Sequence, residues 1–453
     1  MRLIQYLALA ALLATAPAGA CRKPPPDGVA LVGATLIDGS GGPPLPDAVV
    51  VVRGGRVESV GTRAGWTLPP RTRQLDLAGR WIMPGLIDAH AHVERWALPR
   101  YLAWGVTTVR DVHGQLDSVL QLRQAVNLGT ISGPRMYSAG AMIDGLPTTY
   151  PDAFGAGSPR EARKGVDRMV NAGADLIKLY TRVDPPLLQA VMDEAGTFNI
   201  RVAAHLGLTD AVTAARAGVT TIEHLSGVPE AALGDPSALL AAHREGFFAG
   251  WTAFERAWAG LDSAALERVA RAIAERGTIL VPTLVLHETF SRLDDSTVLH
   301  DSTLAAVPQV AQRRWNVADM IQRAGWTAAD YPAFRAARPQ QDRFLREFAA
   351  AGGRIATGTD AANQLLIPGY SLHRELELLV AAGFTPRDAL LDATRNGALV
   401  LGVDSLGLLA PGKGADLVIL TRDPLSDIHH TLAIDRVMCR GVLFSADSIR
   451  RTW

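Results

Sequence analysis

Between residues 86 and 360 short apolar runs alternate with amphipathic stretches. The apolar runs are 86–92, 105–112, 134–141, 174–180, 201–206, 219–225, 278–286 and 354–360. Near-continuous apolar runs of this length read as strands buried on both faces, the pattern of a parallel sheet. The stretches between them carry helical spacing. In "PREARKGVDRMVNAG", Val166, Met169 and Val170 fall at i, i+3 and i+4. "PPLLQAVMDEAG" opens on prolines suited to a first turn and ends at Gly196, and "SAALERVARAIAERG" ends at Gly277. Eight strands alternating with helices predict an α/β fold, a (β/α)8 barrel that carries its chemistry at the C-terminal strand ends. A doubly wound open sheet is the alternative, and it asks for a glycine-rich phosphate turn after the first strand; "DAHAHVE" stands there instead. The stretch 288–348 is too long for one crossover helix and reads as extra helices after the seventh strand, a lid or wall. Outside the alternation, "DAVVVVRGGRVESVG" reads as a hairpin turning at Gly54-Gly55. A similar β-rich texture returns in "PGKGADLVILTRDP" and "IDRVMCRGVLF".

Composition changes this picture mainly by exclusion. The chain has 453 residues with 45 Lys+Arg against 45 Asp+Glu. No basic block or net charge calls for a nucleic acid. The first residues, "MRLIQYLALAALLATAPAGAC", have one basic residue, an apolar stretch and small residues before Cys21, the make-up of a secretory signal. Small residues ending at a cysteine resemble the bacterial lipoprotein processing site, although Ala18 stands where that pattern prefers Leu. The expectation is a signal peptide over 1–20, lipidation at Cys21 and a stiff tether over 21–28, placing the protein in the bacterial cell envelope, anchored to a membrane and facing the periplasm. Ordinary cleavage after Ala20 is the alternative. The remaining cysteine, Cys439, reads as a core thiol, which rules out a disulfide scaffold.

Candidate chemistry gathers at the predicted strand ends. His90 and His92 are two apart, so in a strand both rings face one side. The fourth run carries Lys178, the fifth His205, the sixth His224 and the eighth Asp360. Singly, each has an ordinary explanation: a hydrogen-bonded histidine, a salt-bridged lysine, an aspartate capping the next helix. A barrel brings all six to one rim, where imidazoles and a carboxylate are metal ligands.

The motifs "MPGLIDAHAHVE", "GVTTVRDV", "GADLIKLY", "AAHLG", "AGVTTIEHLSG", "ATGTDA" and "LGLLAPGKGADLVIL" occur in the order of the amidohydrolase superfamily, and the chain resembles it from about residue 29 to residue 444. The branch it looks like is that of imidazolonepropionase-like and Xaa-Pro dipeptidase-like enzymes with a carboxylated lysine. The resemblance implies one small β-sandwich built from both chain ends, over 29–83 and 405–453, around a metal-dependent hydrolase barrel over 84–404. It implies two divalent metal ions, with Zn expected and Mn, Fe or Co as alternatives. His90, His92, Lys178 and Asp360 would hold the first, and Lys178, His205 and His224 the second. A charged lysine has no acceptor, so Lys178 would serve as a CO2-derived carbamate whose oxygens bridge the metals. Asp360 would be the catalytic base. His113 and Tyr180 are the expected substrate contacts, whereas Arg110, just inside the second strand, can pair with a group on the barrel wall instead. His287 and His373 read as structural, and His243, His300, His429 and His430 as surface residues.

The implied activity is hydrolysis of C–N bonds in small substrates such as dipeptides or N-acyl amino acids. The relatives' "GGH" and "HAY" are replaced by "AGAMIDG" and "AHLG", so a proline-dipeptide preference does not carry over. Lactone or phosphotriester hydrolysis at the same site, and a metal-stabilised binding lipoprotein without turnover, stay open as alternatives. So do the oligomeric state, with a homo-oligomer among the options, and the exact substrate.

Overall fold

A computed structural model describes residues 28–67, 69 and 72–453. The signal peptide, the tether up to residue 27 and the lipidation expected at Cys21 lie outside the described residues. No helix among the described residues is long and apolar enough to cross a membrane.

Each of the eight apolar runs contains a strand: Leu86–Ala91, Val106–Asp111, Arg135–Ser138, Leu176–Leu179, Arg201–Ala204, Thr221–Glu223, Ile279–Val281 and Arg354–Ile355. The first three pair in parallel, and so do the last five. Two sets of contacts join the groups into a barrel. Ala89 N–H donates to Thr357 O at 2.9 Å, and Ala91 and Ala361 form a parallel bridge, closing the eighth strand on the first. Asp175 N–H donates to Ser138 O at 2.9 Å, linking the third strand to the fourth. The strands are short, and side-chain bonds add to the closure. Buried Asp88 accepts from Thr359 Oγ1 at 2.6 Å and from Thr359 N–H at 3.1 Å. Burial pushes the Asp88 carboxyl up to about 7.

The helices follow the signals in the sequence. Pro159–Asn171 begins after Ser158, whose side chain accepts from Glu161 N–H, and buries Val166 and Met169. Pro185–Thr197 is capped by Asp184, and Ser263–Ala274 by Asp262. Gly277, just past the latter helix, has φ 70°.

The chain ends form one mixed sheet whose strands run, in spatial order, Val442–Ser445, Ile434–Cys439, Leu417–Leu420, Trp81–Pro84, Val29–Leu36, Leu45–Arg53 and Arg56–Thr62, with Arg73–Asp76 beside Val29–Leu36. Its centre is the antiparallel pair of Leu417–Leu420 with Trp81–Pro84, which sews the C-terminal part to the N-terminal part. Strand alternation explains the unbroken apolar runs here. Leu417 and Ile419 pack in the sheet's own core with Leu31, Val50 and Ile82, while Val418 and Leu420 face the barrel core. The hairpin turns at Gly54-Gly55, both with positive φ. Cys439 is buried and free, and burial pushes its thiol up to about 12.

Two local readings are corrected, and one feature is added. The seventh strand stops at Val281, and Leu284–Ser291 is helical: Pro282 has no N–H for the ladder, and Thr283 takes a left-handed turn at φ 48°. His243 is not a surface residue but buried, 6% exposed, with Nε2 2.6 Å from Glu230 Oε1. Two short strands, Ile143–Gly145 and Phe154–Ala156, lie in the loop after the third barrel strand, and the first also pairs with Leu179. The stretch after the seventh strand is helical as expected, with Ser296–Leu299, Gln309–Trp315, Val317–Ala324 and Asp330–Ala350.

Candidate active site

All six expected ligands line one cavity of about 730 Å³ at the C-terminal mouth of the barrel, together with His113 and Tyr180. His90 and His92 leave the first strand toward Asp360. The Nε2 atoms of the two rings stand 3.1 and 3.0 Å from the same oxygen, Asp360 Oδ1. Their other nitrogens are engaged elsewhere: His90 Nδ1 lies 2.5 Å from Glu223 Oε2, and His92 Nδ1 lies 3.1 Å from the carbonyl oxygen of His113. His224 Nδ1 is 2.7 Å from Thr283 Oγ1. Anchoring one ring nitrogen fixes the direction of the other, which is how histidines are set for a metal. Donor atoms of His90, His224 and Asp360 lie within 4.8 Å of one another. The His205 ring adjoins His224, with centroids 4.5 Å apart, and His224 adjoins His90 at 4.4 Å. His224, Thr283 and Asp360 all have positive φ without being glycine, at 59°, 48° and 63°. Left-handed backbone is unfavourable for such residues, and here it accompanies side chains that converge on one point.

Electrostatics suit the same use. Burial keeps His205 and His224 well below the usual histidine range, so both rings are neutral and can donate a lone pair. Burial opposes ionisation of Asp360, yet hydrogen bonds with His90 and His92 hold its carboxyl well below the usual range. Lys178 is 1% exposed, and its Nζ has no hydrogen-bond partner. Burial, partly offset by Glu223, brings its amine down to about 8. An orphaned, easily neutralised amine beside imidazoles and a carboxylate fits the ligand set better than it fits a structural role, for which a charged partner would be required.

Beneath the candidate ligands lies a buried ion pair that the sequence reading did not single out. Glu223, 0% exposed, accepts from Arg110 Nη2 at 2.8 Å as well as facing His90. Burial opposes its charge, and Arg110 and His90 more than offset that, holding the carboxyl low. Arg110 also donates to Thr221 Oγ1 at 3.1 Å and to the carbonyl of Ala89. It therefore pairs on the barrel wall, as its position inside the strand allowed. A signal was present: an acid in "TTIEHL" and a base in "TTVRDV", each in an otherwise apolar run.

The cavity wall is built by loops. His113 accepts from Met142 N–H on Nδ1 at 3.1 Å, so Nε2 carries the ring proton and faces Asp152 Oδ1 at 3.2 Å. Burial and the neighbouring His92 push His113 down to about 4. Tyr180 stacks near Phe247, with centroids 6.2 Å apart and 20° between planes, and meets Tyr150 edge-on at 5.6 Å. Phe247 in turn adjoins Trp251 at 6.2 Å. Met320 and Arg323, from the helices after the seventh strand, complete the wall. Behind the site, His287 lies 2.5 Å from Glu255 and 3.1 Å from the carbonyl of His224, and His373 sits between Thr431 and the Trp104 carbonyl.

A parallel barrel with four histidines, a buried lysine and an aspartate at its C-terminal mouth defines the class of barrel hydrolases that work with divalent metals. The chain belongs to the amidohydrolase family, whose model matches residues 81–444, and it is a hydrolase acting on C–N bonds. Ochratoxinase of Aspergillus niger is 24% identical over 498 aligned residues, 93% of this chain and 88% of the relative. Imidazolonepropionase of Cereibacter sphaeroides is 27% identical over 404 residues, 85% and 91% of the two chains. A solved Xaa-Pro dipeptidase with bound methionine shares the fold at a TM-score of 0.67 and 22% identity, covering 92% of this chain and all (100%) of that one.

Proposed function

We propose that the protein hydrolyses amides joining a small or aromatic acyl group to an amino acid, at a site of two divalent cations. The observation that carries this reading is the buried, partnerless Lys178 amine in a cavity with four histidines and Asp360. Reaction of neutral Nζ with CO2 forms an N–C bond and releases one proton, leaving a carbamate whose single negative charge is shared by two oxygens. In this reading His90, His92, Asp360 and the carbamate would hold one cation, and His205, His224 and the carbamate the other. Two divalent cations there, Zn foremost, would supply Lewis acidity to the carbonyl and lower the pKa of water.

The chain's own residues do the rest. Asp360, ionised across the neutral range, accepts the proton of the attacking water and delivers it to the departing nitrogen. The Glu223–Arg110 pair and the His113 carbonyl keep the His90 and His92 rings in place. Tyr180, Phe247 and Trp251 form an aromatic wall suited to a planar acyl group or an aromatic side chain. Tyr180 is the proposed hydrogen-bond donor to a substrate oxygen: burial holds its phenol well above the usual range, so the proton stays on. His113 is the second proposed substrate contact; its ring adjoins His92, with centroids 6.4 Å apart.

The test is a substrate panel with the metal-loaded protein: N-acyl amino acids and dipeptides against lactones and phosphotriesters. Turnover of N-benzoyl-L-phenylalanine or a related amide, at a kcat/KM above that for any lactone or phosphotriester, is expected. Turnover confined to the latter two classes would contradict the proposal, and bound metal without any turnover would favour the binding-lipoprotein reading. We also propose, from the small residues that end at Cys21, that this cysteine carries a lipid anchor in the envelope. Cys21→Ala should then release the protein into the soluble envelope fraction, and unchanged membrane partitioning would count against it.

A further inference from the structure

The cavity has a charge imbalance on its wall that the ligand set does not explain. Besides Lys178, the cations that line it are Arg182 and Arg323, and the carboxylates are Glu94 and Asp360. Arg323 is answered by Asp319 on its own helix, Nε to Oδ2 at 2.8 Å. Glu94 is answered by Arg314 at 2.6 Å. Asp360 belongs to the ligand cluster. Among the described residues, no ion pair or side-chain hydrogen bond involves the Arg182 guanidinium. Arg182 is half-buried and lines the cavity; a guanidinium at such a wall without an internal anion invites one from outside, and its planar fork matches a carboxylate.

The backbone beneath Arg182 is fixed. Asp144, 0% exposed, accepts from Arg182 N–H at 2.9 Å, from Gly145 N–H at 3.0 Å and from Thr149 N–H at 2.8 Å. That one carboxylate ties the loop after the fourth strand to the loop that carries Tyr150. The two loops also touch through their backbones. A Cβ added at Gly145 would stand 2.1 Å from the Arg182 carbonyl oxygen, so only glycine permits this approach. Arg182 is thereby held two residues from Tyr180, at the aromatic wall.

We propose that Arg182 is the specificity-determining residue that reads the free carboxylate of the substrate's amino-acid half, with Asp144 as its positioning residue. The substrate class narrows accordingly to amides whose leaving amine bears a carboxylate, with an aromatic or large apolar group against Tyr180, Phe247 and Trp251. His113 is a weaker reader of a carboxylate: it is neutral, and both its ring nitrogens are engaged. The inference rests on the amide-hydrolase reading above only for the word substrate; anion recognition by Arg182 can be tested without turnover.

The probes are N-benzyl-L-phenylalanine and its primary carboxamide, in which a methylene replaces the scissile carbonyl. Calorimetric binding to wild type, Arg182→Gln and Arg182→Lys is compared. Wild type is expected to bind the acid about 10–100-fold more tightly than the carboxamide, the worth of a charge-assisted bidentate contact. Arg182→Gln should lose that preference while binding the carboxamide as wild type does, and Arg182→Lys should keep part of it. Equal affinity of wild type for the two probes, binding of neither, or equal losses on both probes in Arg182→Gln would overturn the proposal. If the acid preference depends on Arg182 and wild type nevertheless fails to hydrolyse N-benzoyl-L-phenylalanine, carboxylate recognition stands and the amide reading falls.

Discussion

Glu223→Gln is the perturbation through which the site and its foundation are most clearly connected. The carboxylate is fully buried and faces two groups at once, Arg110 Nη2 at 2.8 Å and His90 Nδ1 at 2.5 Å. An amide of the same shape can accept on one side only; its NH2 group must face either a guanidinium or a ring N–H. Removing the charge leaves Arg110, 2% exposed, without its counter-ion, a change worth about 3–5 kcal/mol of stability. Loss of the His90 anchor frees the ring, and disturbing such an outer partner lowers metal affinity by about 10–100-fold. The two effects separate in the double variant Glu223→Gln/Arg110→Met. Stability should recover in part, because the stranded charge is gone, whereas metal affinity should stay below wild type, because a neutral amide oxygen accepts from His90 more weakly than the carboxylate does. The assays are a urea midpoint and a chelator competition for the bound metal. Wild-type metal affinity in folded Glu223→Gln would refute the argument that this pair holds His90 for a cation.

Three further outcomes follow from the same geometry. Asp360→Asn, if folded and metal-loaded, should lower kcat by about 10²–10⁴-fold, and a near-normal rate would mean that another group takes the proton. Burial pushes Glu375 up from 4.5 to about 8, with Val285 N–H donating to its Oε2 at 2.7 Å. Its folded value is raised, so the folded chain holds the proton more tightly; the resulting stability is fully present below about 4.5 and is lost as pH rises through about 8, with a slope of at most ~1.4 kcal/mol per pH unit. Glu375→Gln, which mimics the protonated acid, should therefore gain on wild type as pH rises through that window, and urea midpoints that stay parallel from pH 5 to pH 9 would exclude this role. Tyr180→Phe should raise KM for an amide substrate with the metal content unchanged, and an unchanged KM would remove Tyr180 from the list of substrate contacts.

Much of the barrel was legible because its strands are apolar on both faces and its helices carry caps and spacing that need no long-range information. The same logic brought the six candidate residues to one cavity: a polar residue at the end of a buried run has little reason to be there unless the barrel mouth uses it. The seventh run shows the limit of this reading. "VPTLVL" is apolar throughout, and hydrophobicity alone does not tell a strand from the buried helix Leu284–Ser291 that follows. His243 was misplaced for a related reason, since its partner Glu230 lies on a separate helix and nothing local announces the pair. Arg110 and Glu223 were visible singly as charges in apolar runs. Their partnership spans 113 residues and emerges only once the second and sixth strands face each other across the barrel. The cavity wall was the least legible part. Arg182, Tyr150 and Phe247 come from loops and a helix start, where neither period nor motif fixes a direction, and a buried carboxylate, Asp144, sets two of those loops.

In the proposed mechanism Lys178 completes a hydrolytic centre of two cations with His90, His92, His205, His224 and Asp360. Metal equivalents bound per chain, measured by mass spectrometry on wild type and Lys178→Ala purified side by side, test it most directly. Two divalent ions per wild-type chain are expected, with a loss of most of that metal in the variant and partial recovery when a short carboxylic acid is added to replace the missing carbamate. Full metal occupancy in Lys178→Ala without any added acid, or a wild-type chain that turns over amides while binding no metal, would contradict it.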